Sequence, residues 1–284
     1  MAPVPATPLP TAPIGVFDSG VGGLTVLHEL LVELPQEDFL YLGDSARFPY
    51  GDRTPEELRA FSRQIADALL ERGAKLIVVA CNSATSSALA DLTEHVAERG
   101  WSVDVIGVVG PESNLAVAQT RNGRIGVLAT TATVASGAYE RAVLAADPLV
   151  RLTSVACPQL ARISQDGAPI TEQDVALARE YCAPLREAQV DTAILGCTHY
   201  PFVRSLLQRL LGPQVTLITS GTAIARRVQH ALDARDLATP RTGEGTYGFL
   251  CTGDAAAFGR VGSRFLQLPM GTVDHVLLPI EVPA

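Results

Sequence analysis

The sequence predicts an α/β protein with mostly parallel sheets, built as two similar units. Three observations carry this. Short apolar runs alternate with amphipathic stretches of helical length, the pattern of parallel strands joined by helical crossovers. The run LIVVA at 76–80 is apolar throughout, as a strand buried on both faces is, and TAILG at 192–196 reads as a second buried strand. A faint internal repeat pairs PIGVFDSG with RIGVLATT, placing Ile14 against Ile125. It also pairs LIVVAC, ending at Cys81, with AILGC, ending at Cys197. Two units of domain size would set matching strand ends across a shared cleft, although two buried parallel strands can also look alike by chance.

The elements follow in order. Residues 14–17 read as a strand, 24–34 as a helix and 39–42 as a strand. Thr54-Pro55-Glu56-Glu57 is a capping box with proline at the first helical position, so a helix runs from there to about 72 and stops at Gly73. The strand 76–80, a helix at 83–99 and a strand near 103–109 close the first unit. The second opens with a strand at 124–129, a helix at 135–144 and a strand at 150–155. A helix at 171–188, the strand 192–196 and a helix at 201–211 follow. Strands at 215–218, 247–251 and 273–278 and helices at 222–232 and 255–266 complete the alternation.

Composition bounds the function. The chain has 284 residues, enough for one large or two medium domains. With 47% hydrophobic and 18% charged residues it has the balance of a soluble globular protein. A net charge of −8 opposes a protein built mainly to hold nucleic acid. No apolar run reaches the ~18 residues of a membrane span. Residues 1–12 are rich in proline and alanine, without the basic and apolar regions of a signal peptide, and read as a disordered tail on a cytoplasmic protein. Five widely spaced cysteines without a C-x-x-C pair give no support to a zinc site or a disulfide framework.

Ligands of open α/β sheets collect outside the carboxyl ends of the strands. Three segments there are rich in small or polar residues: DSGVGG from Asp18, CNSAT from Cys81 and CTHYP from Cys197. The glycine-rich segment lets backbone N–H groups approach an anion at a helix start, and fits a plain tight turn equally well. It lacks the spacing of a P-loop or a dinucleotide site. Cys81 and Cys197 each follow a buried strand and precede a helix start, where the N-terminus lowers a thiol pKa below ~8.5. The other reading of each is a small buried hydrophobe, which is where Cys157, Cys182 and Cys251 are left. His199 suits a proton relay or a thiol tuner as well as a helix cap, and Asp18 suits a matching partner of Cys81 as well as a capping aspartate.

Taken together, DSGVGGL at 18–24, GDSARFPYG at 43–51, ACNSAT at 80–85 and GCTHYP at 196–201 resemble the aspartate/glutamate racemase superfamily, and within it glutamate racemases. The resemblance runs from about residue 13 to about 270. It implies two α/β domains related by a pseudo-twofold axis, residues 13–110 plus 220–284 and residues 111–219, with the active site in the cleft between them. It implies Cys81 and Cys197 as the catalytic pair, the first taking the α-proton of the D-enantiomer and the second that of the L-enantiomer, assisted by Asp18 and His199. Substrate contacts fall on Ser19, Pro49, Tyr50, Gly51, Asn82, Ser83, Thr85 and Thr198. The implied protein needs no cofactor or metal, acts as a homodimer on glutamate and supplies D-glutamate for peptidoglycan. Two departures stand out: Ser83 replaces a usual threonine, and Gln165 stands where the family often carries a glutamate.

Two thiols suit such a reaction because inversion by deprotonation needs a base on one face of the stereocentre and an acid on the other. Lys75, the only lysine, sits at a strand start and makes a poor Schiff-base candidate. Competing readings are the same chemistry on aspartate or a hydantoin, a decarboxylase, which typically keeps one of the two cysteines, and a non-catalytic binding protein on this fold.

Overall fold

The computed structural model describes residues 8–165 and 169–279. Among the described residues, ten strands run in chain order: β1 (Ile14–Asp18), β2 (Phe39–Gly43), β3 (Leu76–Val79), β4 (Asp104–Gly107), β5 (Arg124–Ala129), β6 (Arg151–Ala156), β7 (Thr192–Gly196), β8 (Thr216–Ile218), β9 (Tyr247–Cys251) and β10 (Val273–His275). They form one sheet in the order β10-β9-β2-β1-β3-β4 and another in the order β6-β5-β7-β8, with parallel pairing throughout.

The two sheets share a plan. In each, the first strand pairs with the second on one side and the third on the other, with the fourth beyond the third. The faint repeat in the sequence therefore corresponds to a repeated topology. The chain changes direction between β1 and β3 in one sheet and between β5 and β7 in the other. Such switch points are where open α/β sheets leave a crevice at the strand ends.

Helices cover both faces of each sheet, so alternate side chains feed different cores. Ile14 and Val16 pack with Leu24, Leu27 and Leu30 on one face of the first sheet, while Phe17 joins Leu58, Ile65 and Leu69 on the other. Burying one such leucine contributes roughly 1.5–3 kcal/mol. In the second sheet Ile125 and Val127 face one core and Leu128 the other. The capping box forms as expected: Glu57 N–H donates to Thr54 Oγ1 at 3.2 Å and Thr54 N–H to Glu57 Oε2 at 2.9 Å.

Some elements differ from expectation. The helix Val109–Gln119 was not anticipated, because Gly110 and Pro111 look like breakers in the sequence. Proline is tolerated in the first helical turn, whose N–H groups have no partner inside the helix. The expected helix at 201–211 is a 3₁₀ turn, Tyr200–Val203, followed by the α-helix Arg204–Leu211. Of the expected tail, residues 1–7 lie outside the described residues. Leu9 and Ala12 close a turn by a backbone hydrogen bond, and the Pro10 carbonyl accepts from the Lys75 ammonium. Lys75 is fully buried and pairs with Glu37 at 2.6 Å, which gives the only lysine a structural place.

Candidate active site

Both cysteines stand at the carboxyl end of the third strand of their sheet. β3 leads through Ala80 to Cys81, which is the N-cap of helix Asn82–Glu98. β7 leads directly to Cys197, followed by Thr198 and His199. The loops after β1 and β2 bring Ser19 and the run Pro49-Tyr50-Gly51 to the same place. These residues, with Asn82 and Ser83, line one narrow cleft. Cys81 is 5% exposed and Cys197 7%. Among the described residues, no three His, Cys, Asp or Glu side chains gather to hold a metal ion.

Two expected residues do not line the cleft. Asp18 is fully buried behind it, where Oδ2 accepts from Gly20 N–H at 3.1 Å and Gly23 N–H at 3.0 Å. Of the two readings of the glycine-rich loop, this favours the tight turn, because two of its amides are taken by the carboxylate of Asp18. Oδ1 of Asp18 accepts from Thr198 Oγ1 at 3.3 Å, which ties the two halves together. Thr85 is the other of the two. Its hydroxyl donates to the Val79 carbonyl at 3.0 Å, and its side chain borders a different groove, one turn along the helix from the cleft. The helix Leu160–Gln165 ends at Gln165, whose side chain falls outside the described residues, so the expected departure there is left as it was.

The electrostatics correct a further expectation. A helix N-terminus lowers a thiol pKa, but here both thiols are raised. Burial pushes Cys81 up to about 12, and the charge of Asp18 adds to it. The N–H groups of Ala84 and Ser19 and the Ser19 hydroxyl pull the other way and lose. Burial likewise holds Cys197 well above its ordinary value, against the His199 N–H, and a charge on Cys81 or Asp18 raises it further. Desolvation disfavours the charged form, and in this enclosed site it outweighs the local dipoles. Burial also lowers the pKa of His199, against the charge of Asp18, which favours the neutral imidazole. Its Nδ1 lies 3.9 Å from Cys197 Sγ, and the ring packs edge-on against Phe265.

Several residues of the site escaped the sequence reading. Thr130 lines the cleft at the end of β5 and hydrogen-bonds Ser83 Oγ at 2.8 Å. The internal repeat carried its signal, because Thr130 follows RIGVLA as Ser19 follows IGVFD. Arg162 and Asp52 border the mouth and face each other at 3.6 Å with both side chains exposed. Glu112 lies behind Asn82, fully buried, with its carboxyl pushed up to about 7 by burial against three hydrogen-bond donors. Neither Arg162 nor Glu112 stands in a motif.

The arrangement offers two thiols to one small ligand, with hydroxyls and strand-end amides around it. Such a site can remove a proton from one face of a carbon and return it to the other. Comparison with known proteins agrees in kind. Residues 19–228 match the family model described as Asp/Glu/Hydantoin racemase. The chain is 41% identical over 273 residues to the glutamate racemase of Geobacter metallireducens, covering 96% of this chain and 99% of that one. It is 44% identical over 268 residues to the glutamate racemase of Mycobacterium tuberculosis, covering 94% and 97%. Among solved structures, a glutamate racemase of Francisella tularensis in complex with D-glutamate superposes with a TM-score of 0.87 at 31% identity, covering 95% of this chain and 98% of that one.

Proposed function

We propose, from the premise that this chain belongs to the Asp/Glu/hydantoin racemase family and is an amino-acid racemase, that it interconverts L- and D-glutamate by two-base proton transfer between Cys81 and Cys197, without a cofactor. The observation that carries this reading is the pair of thiols at matching strand ends, bordering one cleft.

The mechanism follows from that geometry. One cysteine acts as thiolate and takes the α-proton; the other, as thiol, delivers its proton to the opposite face. The enzyme then holds the two protonation states exchanged, ready for the reverse turnover. The family resemblance, not the geometry, assigns the proton of D-glutamate to Cys81 and that of L-glutamate to Cys197. A poorly solvated thiolate is a stronger base, so the burial that raises both thiols also matches them to a weakly acidic α-carbon. Asp18 and His199 act as the assisting groups beside Cys81 and Cys197. The Ser83 hydroxyl and nearby backbone amides stabilise the negative charge that develops at the substrate carboxylate, while the Thr198 hydroxyl is held by Asp18.

In the same reading, residues 13–110 plus 220–284 form one domain and residues 111–219 the other. The enzyme works in the cytoplasm as a homodimer, and its D-glutamate goes to peptidoglycan. Among the described residues, no helix is long and apolar enough to cross a membrane.

The test is incubation of the purified protein with L-glutamate and no added cofactor, followed by chiral analysis, with L-aspartate and a hydantoin in parallel. Racemisation of glutamate and its loss in Cys81→Ser and Cys197→Ser are expected. A C81S enzyme with full activity overturns the mechanism. Preference for aspartate or hydantoin overturns the substrate.

A further inference from the structure

Glu112 lies in the first turn of helix Val109–Gln119 and is 0% exposed. Its carboxylate accepts from side chains of three other elements. Asn82 Nδ2 donates to Oε2 at 3.1 Å, the Tyr139 hydroxyl donates to the same oxygen, and the Ser220 hydroxyl donates to Oε1. Asn82 Nδ2 also donates to the Tyr139 oxygen at 2.8 Å. Of these residues only Asn82 borders the cleft.

The two ends of the Asn82 amide are treated differently. Nδ2 is spent on oxygen acceptors. Oδ1 is buried and, among the described residues, has no hydrogen-bond partner. With Glu112 ionised, as it mostly is above about pH 7, the opposite orientation of the amide would set its carbonyl oxygen against a carboxylate, acceptor against acceptor. Glu112 thus dictates which end of the amide is left over, and that end is an acceptor. A buried acceptor without a donor costs about 1–3 kcal/mol, so a ligand that supplies the donor is favoured. Glutamate carries one donor group, its α-ammonium; both of its carboxylates only accept.

We propose that Glu112 is a positioning residue for racemisation: it locks the Asn82 amide so that Oδ1 takes a hydrogen bond from the substrate's α-ammonium. The inference rests on the glutamate reading above.

Glu112→Gln keeps the shape and removes the constraint. One of the two acceptor ends becomes a donor, Nε2, which competes for Asn82 Oδ1, so the amide is no longer held with its acceptor toward the ammonium. KM for L-glutamate is expected to rise about tenfold or more, with a smaller change in kcat. Inhibition by glutarate, which has both carboxylates and no ammonium, is expected to stay unchanged. Glu112→Asp, which keeps the charge, recovers part of the affinity. In an Asn82→Ala background, E112Q adds nothing further, because the two substitutions act through one group. An unchanged KM, or an equal loss of affinity for glutarate, overturns the proposal. If E112Q does not fold, Glu112→Met carries the test, since it removes both acceptor oxygens that hold Asn82 Nδ2; the same split between glutamate and glutarate is expected, and its absence overturns the proposal. A wild-type protein inactive on glutamate would instead overturn the function on which this rests.

Discussion

Thr198 Oγ1 donates to Asp18 Oδ1 across 3.3 Å, although the two residues are 180 positions apart. Asp18 closes the loop after β1 and Thr198 follows Cys197 at the end of β7, so one carboxylate organises both strand ends. Its negative charge also raises both thiols. Asp18→Asn keeps an oxygen for the loop and removes the charge. Its kcat/KM is expected to fall by about 10² or more, the range of a lost acid–base group. In the free enzyme, the pH dependence of thiol alkylation is expected to move to lower pH. A fall in activity with an unmoved alkylation profile would mean that Asp18 acts only by holding the loop.

The raised thiol of Cys81 makes its own prediction. Burial sets its pKa at about 12 against an ordinary 9.0. At pH 7.5 its thiolate fraction is then about a thousandfold below that of an ordinary cysteine, since each pKa unit is a factor of ten. The thiol form is neutral and the thiolate charged, so raising the pH raises reactivity. Labelling of Cys81 by iodoacetamide, read by peptide mass spectrometry, is expected to be slow at neutral pH and to climb about tenfold per pH unit up to pH 10. Labelling at the rate of a free thiol at pH 7.5 would refute it.

What could be read from the sequence divides along physical lines. Strand runs such as LIVVA and the Thr54 capping box were legible because burial on two faces and local capping leave local patterns. The cysteines were legible because each ends such a run. Helix Val109–Gln119 was not, because Gly110 and Pro111 carry a breaker signal that the first turn neutralises. The pKa direction of the thiols was misjudged for a similar reason. The helix start is written in the sequence, whereas the burial that overrides it comes from elements far along the chain. Thr85 and Asp18 lie beside cleft residues in sequence, yet their side chains turn to the Val79 carbonyl and to the loop amides. Glu112 had no local signal at all, since its meaning lies in partners at positions 82, 139 and 220.

Close packing of the loop after β1 against the Cys197 segment predicts a sharp glycine contrast. A Cβ on Gly22 would lie 2.4 Å from Thr198 Oγ1 and 2.5 Å from the His199 ring. Both neighbours are buried, so Gly22→Ala forces the two strand ends apart. A loss of about 1–3 kcal/mol is expected, with a fall in kcat. Gly110→Ala meets nothing within 4 Å and sits in a helix, so it is expected to be neutral or to stabilise by a few tenths of a kcal/mol. Urea denaturation and initial rates on both variants check this, and equal behaviour of the two would refute it.

Away from the cleft, Asp38 and Arg241 give a stability term with a defined pH window. Burial alone would raise the Asp38 carboxyl, but two hydrogen bonds from Arg241, at 2.6 and 2.9 Å, together with the Thr246 N–H and hydroxyl, outweigh it and hold the pKa at about 2. The unperturbed value is 3.8. The folded state therefore prefers the ionised form, and the stabilisation is present above pH 3.8 and lost as the pH falls through 2. The shift corresponds to about 2 kcal/mol, an upper figure because Arg241 is partly exposed to solvent. Thr246 directly precedes β9, so these bonds pin the edge where β9 joins β2. Asp38→Asn is expected to cost about 1–2 kcal/mol at pH 7 by urea denaturation. Roughly half of that difference should remain at pH 3, because the folded carboxyl is still ionised there while the unfolded one is mostly protonated. A cost that does not change between pH 7 and pH 3 would mean that the site stabilises through hydrogen bonds to the side chain and not through its charge.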